Sequence, residues 1–179
     1  MSDTLVTVFG GGRVAKDGQL YRECQTLGAL LAQADFLVAT GGYYGSMEAV
    51  LQGAAEAGGH TIGFTCSIFD AALKPNGWVH EERKTGSMPA RIERMAVESD
   101  AFVVVHGGLG TLAELALVWD MILTGEVRAR PFVIVGQEWP QVVQSISQHT
   151  QMGSSALKLL TFVETPEAAV AHLREVLPR

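Results

Sequence analysis

The sequence predicts an α/β protein: a doubly wound parallel sheet with helices on both faces, folded as a single domain over residues 1–179. Three observations predict it. Short apolar runs alternate with amphipathic stretches along the chain, the pattern of repeated strand–helix units. The apolar runs are continuous, as strands buried on both faces require. Glycines follow three of these runs, where a strand must turn tightly into its helix.

The elements follow in order. Residues 5–9 (LVTVF) form the first strand, and residues 19–33 carry Leu20, Cys24, Leu27, Leu30 and Leu31 at helical spacing. Residues 36–40 (FLVAT) are the second strand, 46–58 the second helix and 60–65 (HTIGFT) the third strand. Residues 66–87 are less regular, with turn chemistry at Pro75-Asn76-Gly77. Residues 88–99 are a third helix, 101–105 (AFVVV) a fourth strand, 111–123 a fourth helix and 131–136 (PFVIVG) a fifth strand. Pro140 suits the first turn of a fifth helix. Residues 159–163 (LLTFV) are the last strand, and Thr165-Pro166-Glu167 opens the last helix with a cap and a first-turn proline.

Composition narrows the function. Hydrophobic residues make up 47% and charged residues 18%, a globular balance. The formal charge of −6 argues against a nucleic-acid binder, which is normally basic. A small anion remains compatible, because local donors outweigh net charge. The two cysteines, Cys24 and Cys66, lack metal-type spacing and read as reduced thiols of a cytoplasmic protein. The N-terminus has no basic, apolar leader, and no run is long enough to span a bilayer.

The chemistry concentrates in the glycine loops. FLVATGGYYGSMEAV is echoed by FVVVHGGLGTLAEL, each a strand followed by Gly-Gly and then by Gly-Ser or Gly-Thr at a helix start. The first strand ends in Gly10, Gly11 and Gly12, followed by Arg13. Free N–H groups and the positive dipole end of a helix make such a turn an anion site. The competing reading is a set of tight turns with no ligand. Neither Gly45-Ser46 nor Gly110-Thr111 belongs to a Gly-Lys-[Ser/Thr] phosphate loop. GGGRVA fits a dinucleotide fingerprint, but Lys16-Asp17-Gly18 interrupts its helix and the second strand ends without an acidic residue.

Two residues are ambiguous from spacing. Thr111-Leu112-Ala113-Glu114 reads as a capping box, with Glu114 satisfying backbone donors. A catalytic carboxylate beside a phosphate turn has the same spacing. Arg91 reads as a surface arginine like Arg94, or as a guanidinium reaching a phosphate. His106 is a strand-end histidine or a pH-sensitive contact. Tyr43 and Tyr44 stack on a base or cover the turn, and Trp78 and His80 are candidates for a lid.

In combination, HGGLGTLAE (106–114), MPARIERM (88–95) and TGGYYGSMEA (40–49) resemble the Lonely Guy family, once widely labelled lysine decarboxylase-like. Its signature is P-G-G-x-G-T-x-x-E, with an upstream M-x-x-R helix and an earlier glycine turn. Order and separation match over residues 5–136. The resemblance implies a Rossmann-like domain that dimerises through helices near the active site. It implies a nucleoside 5′-monophosphate phosphoribohydrolase, which cuts the N-glycosidic bond to release free base and ribose 5-phosphate. The catalytic pair falls on Arg91 and Glu114. The phosphate falls on Gly107, Gly108, Gly110 and Thr111, joined by Gly10, Gly11 and Arg13, and the nucleotide on Gly41, Gly42, Gly45 and Met88. No cofactor or metal is expected; the partners are the nucleotide, with AMP as the model substrate, and a second copy of the chain, with no nucleic acid or membrane.

Several positions depart from the family. His106 replaces proline, Ile92 replaces lysine, and Glu48 replaces a small residue. In the fourth helix Leu117 and Met121 stand where an acidic residue and a tryptophan are common. These changes motivate an alternative, a non-catalytic carrier or sensor of a nucleotide or pterin cofactor. Literal lysine decarboxylation fits poorly: of Lys16, Lys74, Lys84 and Lys158, none lies in a glycine loop to hold pyridoxal phosphate.

Overall fold

In the computed structural model, which describes residues 4–177, seven strands form one sheet. They are β1 (Leu5–Phe9), β2 (Leu37–Thr40), β3 (Thr61–Cys66), β4 (Glu81–Thr85), β5 (Ala101–Val104), β6 (Phe132–Val135) and β7 (Thr161–Val163). Every neighbouring pair is parallel, in the order β4-β3-β2-β1-β5-β6-β7. Strands added after β1 run outward to β4; the chain then returns to the far side of β1 and runs outward again. The order therefore reverses between β1 and β5, where an open α/β sheet forms its ligand crevice.

The helices are α1 (Gln19–Gln33), α2 (Ser46–Glu56), α3 (Met88–Glu98), α4 (Leu109–Leu123), α5 (Glu138–His149), α6 (Ser154–Leu157) and α7 (Pro166–Val176). Strand side chains alternate between two cores. Phe9, Phe102, Val104, Phe132 and Ile134 pack with α3, α4, α5 and α6. Val8, Val103 and Val133 pack with α1, α2 and α7. Phe9 stacks on Phe102 at 5.7 Å in the first core. On the other face, α1 and α2 cross at two glycines. A Cβ on Gly28 would strike the Val50 carbonyl, and one on Gly53 the Gln25 carbonyl.

Two elements differ from expectation. β4 lies within the stretch expected to be irregular. Its sequence, EERKT, has no apolar residue because it is an edge strand whose side chains are charged. Arg83 lies over the Phe64 ring at 5.6 Å and pairs with Glu98 at 2.7 Å, so ion pairs and cation–π contact take the place of an apolar face. α6 is too short to display a helical period. The last helix starts as expected, with the Thr165 side chain accepting from Ala168 N at 3.2 Å.

Candidate functional site

The three glycine loops meet at the reversal point. Val105 N donates to Phe9 O at 2.9 Å, and Gly11 N donates to His106 O at 3.3 Å. The loops touch so closely that a Cβ on Gly11 would lie 3.1 Å from Gly107 Cα, and one on Gly107 would lie 2.7 Å from Thr111 Cβ. Ser46 N donates to Gly11 O at 2.9 Å and ties the start of α2 to the first loop. Gly45 has φ +69°, and a Cβ there would collide with the backbone of Gly11 and Gly12. Gly10, Gly11, Gly45, Gly107 and Thr111 thus pack backbone on backbone at one place, with Gly45 and Thr111 buried. Gly108 and Gly110 are exposed at the mouth beside it.

The helix starts correct the capping readings. α4 begins at Leu109 with Gly108 as its cap and no side-chain cap bond. Thr111 is already the third helical residue, buried at 2% exposure, with its side chain against Gly107. Glu114 lies in the second turn and cannot close a capping box. Ser46 is likewise inside α2, whose cap is Gly45. The glycine caps leave the first-turn N–H groups of both helices uncovered by side chains.

Glu114 instead meets Arg91. α3 is started by Ser87, whose hydroxyl accepts from Ala90 N at 3.3 Å, and Pro89 fits its first turn. That start turns Ile92 and Met95 into the core and places Arg91 against α4. Arg91 is 4% exposed and Glu114 5%, with Arg91 Nη2 3.3 Å from Glu114 Oε1. Burial pushes the Glu114 carboxyl up, to about 7, against the opposing pull of Arg91. The surface reading holds for Arg94, which pairs with Glu98 one turn on, and fails for Arg91.

The second glycine loop wraps the guanidinium. A Cβ on Gly41 would collide with Arg91 Nη2 and Met47 Sδ. Met88 Sδ lies 3.4 Å from Arg91 Nη1, and the Tyr43 ring lies beneath Arg91 at 5.8 Å. Gly42 has φ +76°, and its N–H donates to Thr40 Oγ1 at 3.1 Å. Asn76 Nδ2 donates to Gly42 O at 3.1 Å and to Tyr43 O at 2.6 Å, bracing the loop from the β3–β4 connection.

Other candidates lie elsewhere. Arg13 sits on an exposed stretch beyond the first loop, where Lys16 pairs with Glu48 at 2.8 Å. His106 is exposed, and Tyr44 is exposed while Tyr43 is buried. Trp78 and His80 form no lid. His80 N donates to Thr61 O at 3.2 Å, at the strand ends opposite the glycine loops, and Trp78 packs on the α1–α2 core. Among the described residues no group of three or more His, Cys, Asp or Glu converges on a metal position, and no helix is long and apolar enough to cross a membrane.

The family model described as possible lysine decarboxylase matches residues 47–173. The chain belongs to this family, the Lonely Guy family of the sequence resemblance. One relative, from Oryza sativa subsp. japonica, is a probable cytokinin riboside 5′-monophosphate phosphoribohydrolase. It is 37% identical over 127 residues, covering 70% of this chain and 56% of its own. A cytokinin riboside 5′-monophosphate phosphoribohydrolase of Arabidopsis thaliana is 33% identical over 120 residues, covering 65% and 56%. The chain spans about half the length of the first curated relatives it matches. The molybdenum cofactor binding protein of Rippkaea orientalis has the same fold, with a TM-score of 0.79, 22% identity and 99% of each chain covered. The molybdenum cofactor carrier protein of Chlamydomonas reinhardtii superposes with a TM-score of 0.76 at 25% identity, covering 97% and 98%.

Sequence reasoning missed Asn76 and the bracing role of Tyr43. Asn76 stood in the Pro-Asn-Gly turn signal, and nothing local to that turn points across the sheet to Gly42.

Proposed function

We propose that this chain is a nucleoside 5′-monophosphate phosphoribohydrolase, releasing free base and ribose 5-phosphate from an AMP-like substrate. The observation that carries the reading is the buried Arg91–Glu114 pair beside three closely packed glycine loops at the sheet's reversal point, with Gly108 and Gly110 exposed at the start of α4. Family membership supports it.

The chemistry follows from the groups present. The first-turn N–H groups of α4, at Gly110 and Thr111, take the phosphate, with Gly107, Gly108, Gly10 and Gly11 allowing close approach. Arg13 reaches the phosphate from its exposed loop. Fixing the phosphate positions C1′. Gly41, Gly42, Gly45 and Met88 line the nucleoside end. As the C1′–N bond breaks, its electron pair leaves with the base and positive charge builds on the ribose ring. The ionised Glu114 stabilises that charge and accepts a proton from the water whose oxygen adds to C1′. The proton taken from that water passes from Glu114 to the departing base, which leaves neutral, and the carboxylate is restored. A carboxyl titrating at about 7 suits the proton transfer. Arg91 holds Glu114 and the nucleotide in register. A cytoplasmic homodimer completes the reading; two buried free thiols suit a reducing compartment, and the exposed Leu109, Leu117 and Leu123 of α4 suit a second copy.

A second reading is a non-catalytic carrier or sensor of a nucleotide or pterin cofactor, favoured by the near full-length superposition on the Chlamydomonas carrier. Incubation with a panel of 5′-monophosphates, AMP first, followed by chromatography of the products, separates the two. The hydrolase releases free base, and Glu114→Gln abolishes release while leaving nucleotide binding intact. Binding without base release in either form selects the carrier.

A further inference from the structure

We infer that Tyr43 is a positioning residue that holds Arg91 in a one-contact stand-off from Glu114, preventing the two from closing into a tight salt bridge. The inference rests on the reading that this pair is the working centre.

The geometry of the pair is unusual for two buried opposite charges. A charge-assisted N–H···O bond normally spans about 2.7–2.9 Å and an arginine commonly grips a carboxylate with two parallel bonds. Here the contact is single, Nη2 to Oε1, at 3.3 Å. Arg91 Nε is buried with no hydrogen-bond partner, although a second bond to the carboxylate would satisfy it. Something holds the guanidinium back.

Three contacts do so, and one has a fixed anchor. Arg91 Nη2 lies against the bare Cα of Gly41, and Nη1 touches the flexible Met88 thioether. The Tyr43 ring, 5.8 Å from Arg91 Cζ, is within the range of cation–π attraction. That ring cannot follow the arginine. Its hydroxyl accepts from Cys66 N at 2.9 Å and donates to Cys66 O at 3.1 Å at the end of β3. Phe69 meets it edge-on at 5.4 Å, and Asn76 holds its carbonyl. Tyr43 therefore ties the Arg91 guanidinium to β3 as well as to α3 and α4. The chemical consequence is a carboxylate that is not committed to its own arginine and can face a developing cation.

The test follows the Glu114 carboxyl directly, in protein carrying carbon-13 glutamate, with Glu114→Gln assigning the resonance. Among the described residues, Arg91 on α3 is the charged group bearing on Glu114, so its approach is read as a lower titration midpoint. Tyr43→pentafluorophenylalanine keeps the shape but reverses the ring quadrupole, and Tyr43→Leu removes the ring. Both are expected to lower the Glu114 midpoint by about one unit as Arg91 closes in, with slower base release. Tyr43→Phe, which keeps the attractive face but loses the Cys66 anchor, is expected to lower the midpoint by less than either. An unchanged or raised midpoint in the fluorinated variant overturns the stand-off, as does an equal fall in Tyr43→Phe. The titration needs no substrate. The expected fall, with no base released by the wild-type protein, would uphold the stand-off and remove only the hydrolase reading.

Discussion

On the proposed hydrolase reading, Glu114 is expected to make activity and stability respond to pH in opposite senses. If the carboxylate is the working form, kcat/KM rises with pH through about 7, the value to which burial pushes the group. Stability runs the other way. The folded carboxyl holds its proton up to about 7, while in the unfolded chain it releases it near 4.5. Between those values the folded state binds more protons, so the contribution present below pH 4.5 is lost as pH rises through 7. The loss amounts to roughly 3 kcal/mol for a fully buried carboxyl with this shift. Denaturant titrations at pH 5 and pH 8 check it: Glu114→Gln is expected to flatten the difference, and an equal pH dependence in both proteins would remove the assignment. Spacing alone could not have revealed this. Thr-x-x-Glu is compatible with a cap, and what decides against a cap is that α4 starts two residues earlier, at Leu109.

At the scale of elements, the α1–α2 crossing and the glycine loops share one device, backbone packed on backbone. Alanine normally stabilises a helix interior by about 1 kcal/mol over glycine. At Gly28 and Gly53 the sign reverses, because each position abuts a carbonyl of the facing helix. Gly28→Ala or Gly53→Ala is expected to cost about 2 kcal/mol, read as a lower urea midpoint. A stabilised variant would show that the helices part freely. Most strands and helices were legible in the sequence, while two elements were not. β1, β5 and β6 are buried at every position and read as apolar runs. β4 takes its place through ladder bonds to β3 and ion pairs, which leave no hydropathy pattern. α6 spans only about one turn.

For the whole molecule, α4 links the site to the proposed homodimer. One side of it carries Glu114 toward α3. Another leaves Leu109, Leu117 and Leu123 exposed beside an apolar groove of about 210 Å³ lined by Leu112, Trp119, Ile146 and Met152. Burying this face in a second copy removes apolar surface from water. Light scattering is expected to give a dimer for the wild type and a monomer for Leu117→Lys with an unchanged circular dichroism spectrum; a wild-type monomer at working concentration would remove the homodimer. The sequence by itself determined the alternation of strands and helices, the positions of the glycine turns and the family, because hydropathy period and local backbone demands are written residue by residue. The winding of the sheet decided the rest. It returned the chain across β1 so that three separate loops share one surface, set α3 against α4 so that Arg91 and Glu114 are buried together, and brought Tyr43 and Asn76 to brace them. Those relations join residues far apart in the chain through burial and contact, and no local spacing encodes them.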